Sequence, residues 1–579
     1  MLSINALGKK SIVFLALASV VLTCCTAGCT TDEDTAGSDM SVAPEMVADE
    51  QATLSASSGV TIRVVEPITG KMVLPTGAVD SGWVSSEIAV AACRGEYEPA
   101  SFVISAARDI SSLKLQASDL RKGREVIPSE RVDIKVVKCW YQSGSAWKDI
   151  NQDLTKRVLI PELLLNDDEL IMVNHQAQEN YLKVSSPKGE QYIWISNAKQ
   201  EFEAEKAFPS EKLPIRDSPV LLPVNVPAHT NKQFWLTIHV PDDAPAGVYS
   251  GDIKLSTPSV DLAPLRLKLR VLPFELSEPY YRPGIFYRRP GGPDPSMRRY
   301  RKDMENLIAH GVTSPLFYGG GDEGLRIRQE LGMAGGPIYA ISTVDVPPET
   351  IKKELKRYRS YGFTDVYFWA IDEASGERLT NQRPAWVRAR KAGGKVMAAG
   401  SRHGYFEAMG DILDLFICYG RPEAEEAAKW HSLGYKIWPY GYPFGGVENP
   451  ELHRRNYGLV CWRADYDGMC TYAYRHETGY PYNDFDGGMR ELNFVYSTID
   501  GVIDTIAWEG YREAIDDVRY VTTLSKAIER VKQSTDSKLK AVAAEAQSYL
   551  DALDVEQRNL NTVRLEMIEY LLKLQEGQK

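Results

Sequence analysis

Along this chain of 579 residues the spacing of hydrophobic and polar positions changes character twice. From about Val60 to Pro273 the period is two. Val132-Asp133-Ile134-Lys135-Val136 alternates, and Leu265-Arg266-Leu267-Lys268-Leu269-Arg270-Val271 does so throughout. Such alternation marks half-buried strands. Asp242-Asp243-Ala244-Pro245-Ala246-Gly247 supplies a turn between two of them. Pro161 to Val173 is the one stretch here that a helix could occupy. The economical fold for 60–277 is a β-sandwich.

From Tyr281 the pattern becomes helix, glycine, short apolar strand. Tyr300 to His310 is amphipathic, stops at Gly311 and leads into Val312 to Tyr318. Thr350 to Tyr361 stops at Gly362, before Asp365 to Ile371; Pro384 to Ala392 stops at Gly393-Gly394, before Val396 to Ala399. Pro422 to Leu433 stops at Gly434, before Tyr435 to Trp438. Pro or polar starts and Gly ends are what helix capping requires. Six to eight βα units fit between Pro283 and Tyr474, so a TIM-like (β/α)8 barrel over 278–507 is favoured over an open sheet. No GxGxxG or P-loop opens any of the helices, which counts against a nucleotide-binding doubly wound fold. After Trp508 the chain reads as helical to its end, with Ile515, Val518, Leu524, Ile528 and Val531 at helical spacing, giving a C-terminal α-helical appendix over 508–579. The expected molecule is multidomain.

The first 59 residues follow neither pattern. Lys9 and Lys10 precede the apolar run Ser11 to Thr23, too short to span a bilayer as a mature helix, so 1–28 reads as an export signal. Thr26-Ala27-Gly28-Cys29 resembles a bacterial lipobox, which implies a lipidated Cys29; Cys24 and Cys25 compete for that role, and a cleaved secreted form is the alternative. Residues 29–59 are polar and of low complexity, a flexible tether. Its acidic start, Asp32-Glu33-Asp34, resembles the surface-export signal of Bacteroidetes lipoproteins. The expected location is therefore the outer membrane or cell surface, held by lipid. A formal charge of −11 argues against nucleic acid as partner. Cys93, Cys139, Cys418, Cys461 and Cys470 are odd in number, lie on apolar patterns and lack CxxC spacing. They read as buried free thiols, and neither metal nor cofactor is expected.

In a barrel, chemistry sits on the loops after the strands. Val366 to Ile371 is an apolar strand that ends in Asp372-Glu373. Both acids can face one pocket only if Asp372 ends the strand and Glu373 sits in the following turn, because successive strand side chains point to opposite faces. The dipeptide recurs at Asp322-Glu323, a rival after Tyr318-Gly319-Gly320-Gly321, and a solvent-facing, salt-bridged loop is the bland alternative. Tyr318, Trp438, Tyr440, Tyr442, Trp462, Tyr472 and Tyr474 lie at or near expected strand ends, where flat rings stack on sugars or merely pack. Arg288, Arg402 and His403 also follow strands and could hold sugar hydroxyls, a sulfate or a uronate. Asp484 and Asp486 read as a rim loop or a simple turn, and Glu509, Arg512, Asp516 and Asp517 as a structural ion network at a helix start.

Tyr367 to Glu373 resembles the catalytic strand end of the family 123 glycoside hydrolases, the β-N-acetylgalactosaminidase type. Gly501 to Asp517 resembles the C-terminal module that accompanies such barrels. Gly95-Glu96-Tyr97-Glu98-Pro99 and Pro245 to Gly251 resemble the sandwich that precedes them. The family pair is often followed by Pro, and here Ala374 follows. The resemblance implies hydrolysis of N-acetylhexosamine glycans in which the 2-acetamido oxygen of the substrate is the nucleophile, an exception to the usual carboxylate pair. By that likeness Glu373 is the general acid/base and Asp372 orients the acetamide, with the Glu373 carboxyl raised by its neighbour and by desolvation. Tyr318, Arg288, His403, Trp438, Tyr440, Trp462 and Tyr472 would line the sugar site. A glycosidase for another sugar, or a non-catalytic glycan-binding lipoprotein on the same fold, remains open.

Overall fold

The computed structural model describes residues 59–576 apart from 152, 187–188, 199–214, 259–261, 289–296, 318–320, 344, 477–479 and 487–489. The export signal, the tether, Cys29 and Tyr318 therefore lie outside the described residues. Among the described residues no helix is long and apolar enough to cross a membrane.

The period-two region forms two large sheets and a small antiparallel one of Ile171–Asn174, Glu179–Ser186 and Gly189–Trp194. In the first, the strands Trp83–Val84, Val60–Val65, Tyr97–Ala106, Thr230–His239, Val132–Ser143 and Arg157–Leu165 lie side by side and antiparallel. In the second, Val224–Val226, Ile110–Ala117, Gly247–Ser256, Leu265–Val271 and Glu87–Ala92 do so, the last pair parallel. The alternation read from the sequence is the burial pattern: Leu265, Leu267, Leu269 and Val271 are buried and the residues between them are not. Phe102, Val136 and Leu236 of the first sheet share one hydrophobic core with Leu113, Ile253 and Leu267 of the second. Pro161 to Val173 is not helical. Arg157–Leu165 is a strand paired with Val132–Ser143, and a single 3-10 turn at Asp168–Leu170 leads into another strand, Ile171–Asn174. Its run of buried apolar residues comes from packing on both faces of the strand, which period alone cannot distinguish from a helix.

From Phe286 the strands become parallel. Phe286–Tyr287, Leu316–Phe317, Ile338–Thr343, Val366–Trp369, Lys395–Ser401, Leu415–Tyr419 and Lys436–Tyr440 form one sheet in chain order. Helices such as Arg298–Ala309, Pro348–Ser360 and Ala424–His431 alternate with them. Gly311 and Gly362 follow their helices at φ +74° and +92°, the left-handed conformation that lets the chain turn back into a strand. The sheet curls around an aromatic interior. Phe286, Leu316, Tyr339, Tyr367, Trp369, Met397, Ile417 and Trp438 meet there with Cys470 and Ala473. Gly468–Met469 borders the far edge, where the Asp467 amide donates to the Ile437 carbonyl at 3.0 Å. The same segment pairs with Arg282–Pro283, just before the first strand. Both flanks need glycine here, since a Cβ on Gly468 or Gly284 would stand 2.3 and 2.7 Å from the Trp438 indole.

Three helices end the chain: Ile506–Lys532, Ser537–Ala552 and Leu560–Glu576. Thr505 caps the first, accepting from the Trp508 amide. Tyr511 donates to the Gly284 carbonyl at 2.6 Å, and Asp517 accepts from Arg454 and Arg564, so the helices are bolted to the curled sheet by buried polar contacts. The expected ion network at the helix start is present, Glu509 pairing with Arg512 and with His310. Asp484 is no rim residue. It is buried against Ser143 of the first antiparallel sheet, accepts the Ser143 amide at 2.9 Å and meets Arg490. Trp462 is likewise off the strand ends: it lies in the short helix Leu459–Arg463, with the Arg463 guanidinium 4.7 Å over its ring. The described cysteines are free, all buried except the half-buried Cys139.

Candidate active site

The strand Val366–Trp369 runs through the core with all four side chains buried, and the chain keeps following its neighbour beyond the last strand residue. The Ala370 amide donates to the Met397 carbonyl at 3.0 Å, and the Glu373 amide to the Ala399 carbonyl at 3.2 Å. Between them, the Gln382 side chain accepts from the Ile371 amide at 2.6 Å. This ladder holds Asp372 and Glu373 at the rim. Glu373 itself adopts φ +46°, a left-handed conformation that costs a non-glycine residue about 1 kcal/mol or more and tends to persist at functional sites. The turn breaks the strand alternation at the position the sequence reading required.

The consequence is electrostatic. Tyr405 and Tyr440 each lie within reach of both carboxylates, so the two acids address one mouth. Both remain solvent-accessible. Burial of its carboxyl, then the charge of Glu373, raise Asp372 from the ordinary 3.8 to about 6; the Glu373 amide and Arg378 only partly offset this. Asp372 therefore holds its proton to about pH 6.

Rings wall the mouth. Phe286 stands centrally, its ring 5.6 Å from Trp369, 5.5 Å from Tyr440 and 5.7 Å from Tyr472. Tyr440 continues to Tyr419 at 5.9 Å and Phe444 at 5.5 Å. Tyr419 ends its strand and is 48% exposed, a flat face available at the rim. Buried Tyr405 donates to the Ala399 carbonyl at 2.9 Å and braces the turn that carries the acids. Beside Phe286, Arg288 donates to the Tyr472 hydroxyl at 3.4 Å, and Tyr472 makes an edge contact with His476 at 5.1 Å. His403 is exposed in the turn after Lys395–Ser401.

The structure therefore gathers Asp372, Glu373, Tyr440, Tyr472 and Arg288. It does not gather Trp438, which is wholly buried beneath the mouth against Tyr339, so its ring packs the interior. Asp322-Glu323 is no rival. It lies in the first turn of the helix Gly321–Glu330, where Arg357 pairs with exposed Asp322 at 2.7 Å and holds its carboxyl low.

No family model matches the chain, and no curated protein does. Among solved structures, a family 123 glycoside hydrolase from Clostridium perfringens, studied for glycolipid glycan hydrolysis, superposes over 88% of this chain and 99% of its own, at 10% identity and a TM-score of 0.53. The chain shares the fold of that glycoside hydrolase. A family 39 glycoside hydrolase from Bacteroides cellulosilyticus WH2 aligns over 51% of this chain and 75% of its own at 12% identity, with a TM-score of only 0.30.

Tyr405, Tyr419, Phe444 and His476 escaped the sequence reading. Tyr419 had a signal, an apolar strand (Leu415-Phe416-Ile417-Cys418) ended by an aromatic residue. Phe444 and His476 sit in loops and Tyr405 opens the short helix Tyr405–Met409, where no periodicity points inward. The described residues contain one group spaced for a metal ion, His310, Asp504 and Glu509, far along the chain from these acids. Each of its members already has a protein partner: His310 bonds Glu509 at 3.2 Å, Glu509 pairs with Arg512, and Asp504 accepts from Asn306 at 2.8 Å.

Proposed function

We propose that the chain is a glycoside hydrolase acting on 2-acetamido glycans by substrate-assisted, retaining hydrolysis. One observation carries the reading: an adjacent pair of accessible acids at a strand end, facing an aromatic mouth on a glycoside hydrolase fold. An ordinary retaining enzyme sets its two carboxyls about 5–5.5 Å apart on opposite sides of the anomeric carbon. Residues joined by one peptide bond can hardly flank a sugar ring in that way. The nucleophile then comes from the substrate. Its acetamido oxygen attacks C1 as Glu373 protonates the departing glycosidic oxygen, and an oxazolinium forms. Glu373 next takes a proton from water, which opens the ring at C1 with net retention. Asp372 orients the acetamide and balances the positive charge that develops on it. Asp372 must be ionised to balance that charge, so with its carboxyl raised to about 6 turnover should fall as the pH drops through that value.

In the same reading the curled sheet is a (β/α)8-type barrel over 278–507, behind a β-sandwich over 60–277 and before the helical region 508–579. Residues 1–28 direct export, Cys29 carries the lipid anchor, and 29–59 space the enzyme from the outer membrane or cell surface. Tyr440, Tyr472, Arg288 and His403 contact sugar, with Tyr419 beside them.

The test is a panel of 4-nitrophenyl glycosides that differ at C2, followed by a trapping experiment. Hydrolysis of the 2-acetamido members, inhibition by a thiazoline mimic of the oxazoline, and no adduct after a 2-fluoro sugar support the reading. An Asp or Glu peptide labelled by the 2-fluoro sugar refutes substrate assistance. Binding of glycans without turnover of any member refutes the enzyme and leaves a glycan-binding lipoprotein.

A further inference from the structure

Three basic side chains, Arg288, Arg402 and His403, follow strands of the curled sheet, and the structure separates them. Arg402 is already paired with Glu423 and donates to the Arg421 carbonyl at 2.7 Å. His403 stands out in an exposed turn. Arg288 differs from both. Phe286 points into the interior, and Tyr287 points the other way, its hydroxyl on buried Asp303 at 2.7 Å. By strand alternation Arg288 returns to the interior side, at the rim. Its guanidinium is exposed, and among the described residues its polar partner is the Tyr472 hydroxyl at 3.4 Å, with no carboxylate in ion-pair range.

Arg288 is not there to neutralise the acids: the cation that lowers Asp372 is Arg378. Tyr472 is held between Phe286 and His476, so the hydroxyl that receives Arg288 is fixed in place. His476 stays neutral, pushed down to about 4 by burial and by Arg288 itself. Among the described residues, the Tyr472 side of the mouth thus presents the Arg288 charge with most of its planar N–H fork uncommitted. Such a fork matches two oxygens of an anion better than scattered hydroxyls, and an exposed arginine at a mouth with no counter-ion among the described residues suits one.

We propose that Arg288, oriented by Tyr472, receives an anionic substituent of the glycan, a sulfate ester or a uronate carboxylate on a sugar in the mouth. The proposal rests on the glycosidase reading and narrows its substrate class to acidic amino-sugar glycans.

The experiment compares three probes: 4-nitrophenyl 2-acetamido-2-deoxy-β-galactoside, its 6-O-sulfate, and its 3-O-β-glucuronyl derivative. The readout is the ratio of kcat/KM for each anionic probe to that for the neutral one, in wild type, Arg288→Gln and Arg288→Lys. A charge-assisted fork gives wild type a ratio of about 10 to 100 for at least one anionic probe. Arg288→Gln should bring that ratio to near one, Arg288→Lys should keep part of it, and added salt should shrink it in wild type. A preference for the sulfated probe alone identifies a sulfate, and one for the glucuronyl probe alone a carboxylate. Ratios near one in wild type, or a ratio unchanged in Arg288→Gln, overturn the proposal. If wild type turns over none of the probes, the glycosidase reading fails and calorimetric binding of the same probes decides this one. Tighter binding of an anionic probe that Arg288→Gln removes sustains it, and equal binding of all three overturns it.

Discussion

Replacing Asp372 with Asn should make the protein more stable at neutral pH while impairing it as a catalyst. The folded carboxyl is raised from 3.8 to about 6 by burial and by Glu373, so folding penalises its charged form. The penalty is absent below about pH 4, grows between about 4 and 6, and is complete above that range. At about 1.4 kcal/mol per tenfold, the full rise corresponds to about 3 kcal/mol. Asp372 is open to solvent, however, and screening cuts this to about 1 kcal/mol. Asn keeps the shape and removes the charge, so it recovers that amount at pH 8 and nothing at pH 4. In a chain of this size the gain is a rise in Tm of roughly 1 °C. Calorimetry of both proteins at pH 4, 6 and 8, at one scan rate, reads it out. Equal Tm differences at pH 4 and pH 8, or a loss of stability at pH 8, would refute the argument that the pair is held in the mouth at a cost to the fold.

Three further outcomes follow from the packing and the leader. Gly468→Ala places a methyl 2.3 Å from the Trp438 indole, so the core must shift and soluble yield should collapse, with surviving protein destabilised by about 3 kcal/mol in urea titration. Asp517→Asn leaves Arg454 and Arg564 sharing a buried site without their carboxylate, a loss of about 3–5 kcal/mol that should expose the C-terminal helices to limited proteolysis. Cys29→Ala should move the protein from the membrane to the soluble fraction on centrifugation, whereas unchanged fractionation would assign the lipid to Cys24 or Cys25 or remove it.

What the sequence disclosed follows from which physics leaves a periodic trace. Leu265 to Val271 showed its register because each polar residue faces solvent, and the helices before Gly311 and Gly362 showed their ends because the turn back demands glycine. Arg157–Leu165 hid among buried residues, since a strand covered on both faces loses its alternation. The acid pair was legible from its place after an apolar strand. Its aromatic walls were less so, because an aromatic residue closing an apolar run has the same local pattern whether it ends a strand at the mouth, as Tyr440 does, or lies in a helix, as Trp462 does. Trp438 went the other way for a related reason. It shares a strand and a face with Tyr440, and only depth along the strand separates core from rim. Asp484 needed the contact between the antiparallel sheet and the loop at 480–486, a tertiary fact without a local signature.

The central claim is that Glu373 donates the proton to the leaving oxygen of a 2-acetamido glycoside. Its most direct test is the single-turnover rate of Glu373→Gln on a 2-acetamido glycoside with an unactivated sugar leaving group, beside the same variant on the 4-nitrophenyl analogue. An amide cannot protonate the leaving oxygen, and loss of a general acid costs about 10²–10⁴ in rate. The account predicts a fall of that size on the unactivated glycoside, a much smaller fall on the analogue whose leaving group needs no proton, and unchanged circular dichroism. Wild-type turnover of the unactivated glycoside by Glu373→Gln would contradict it.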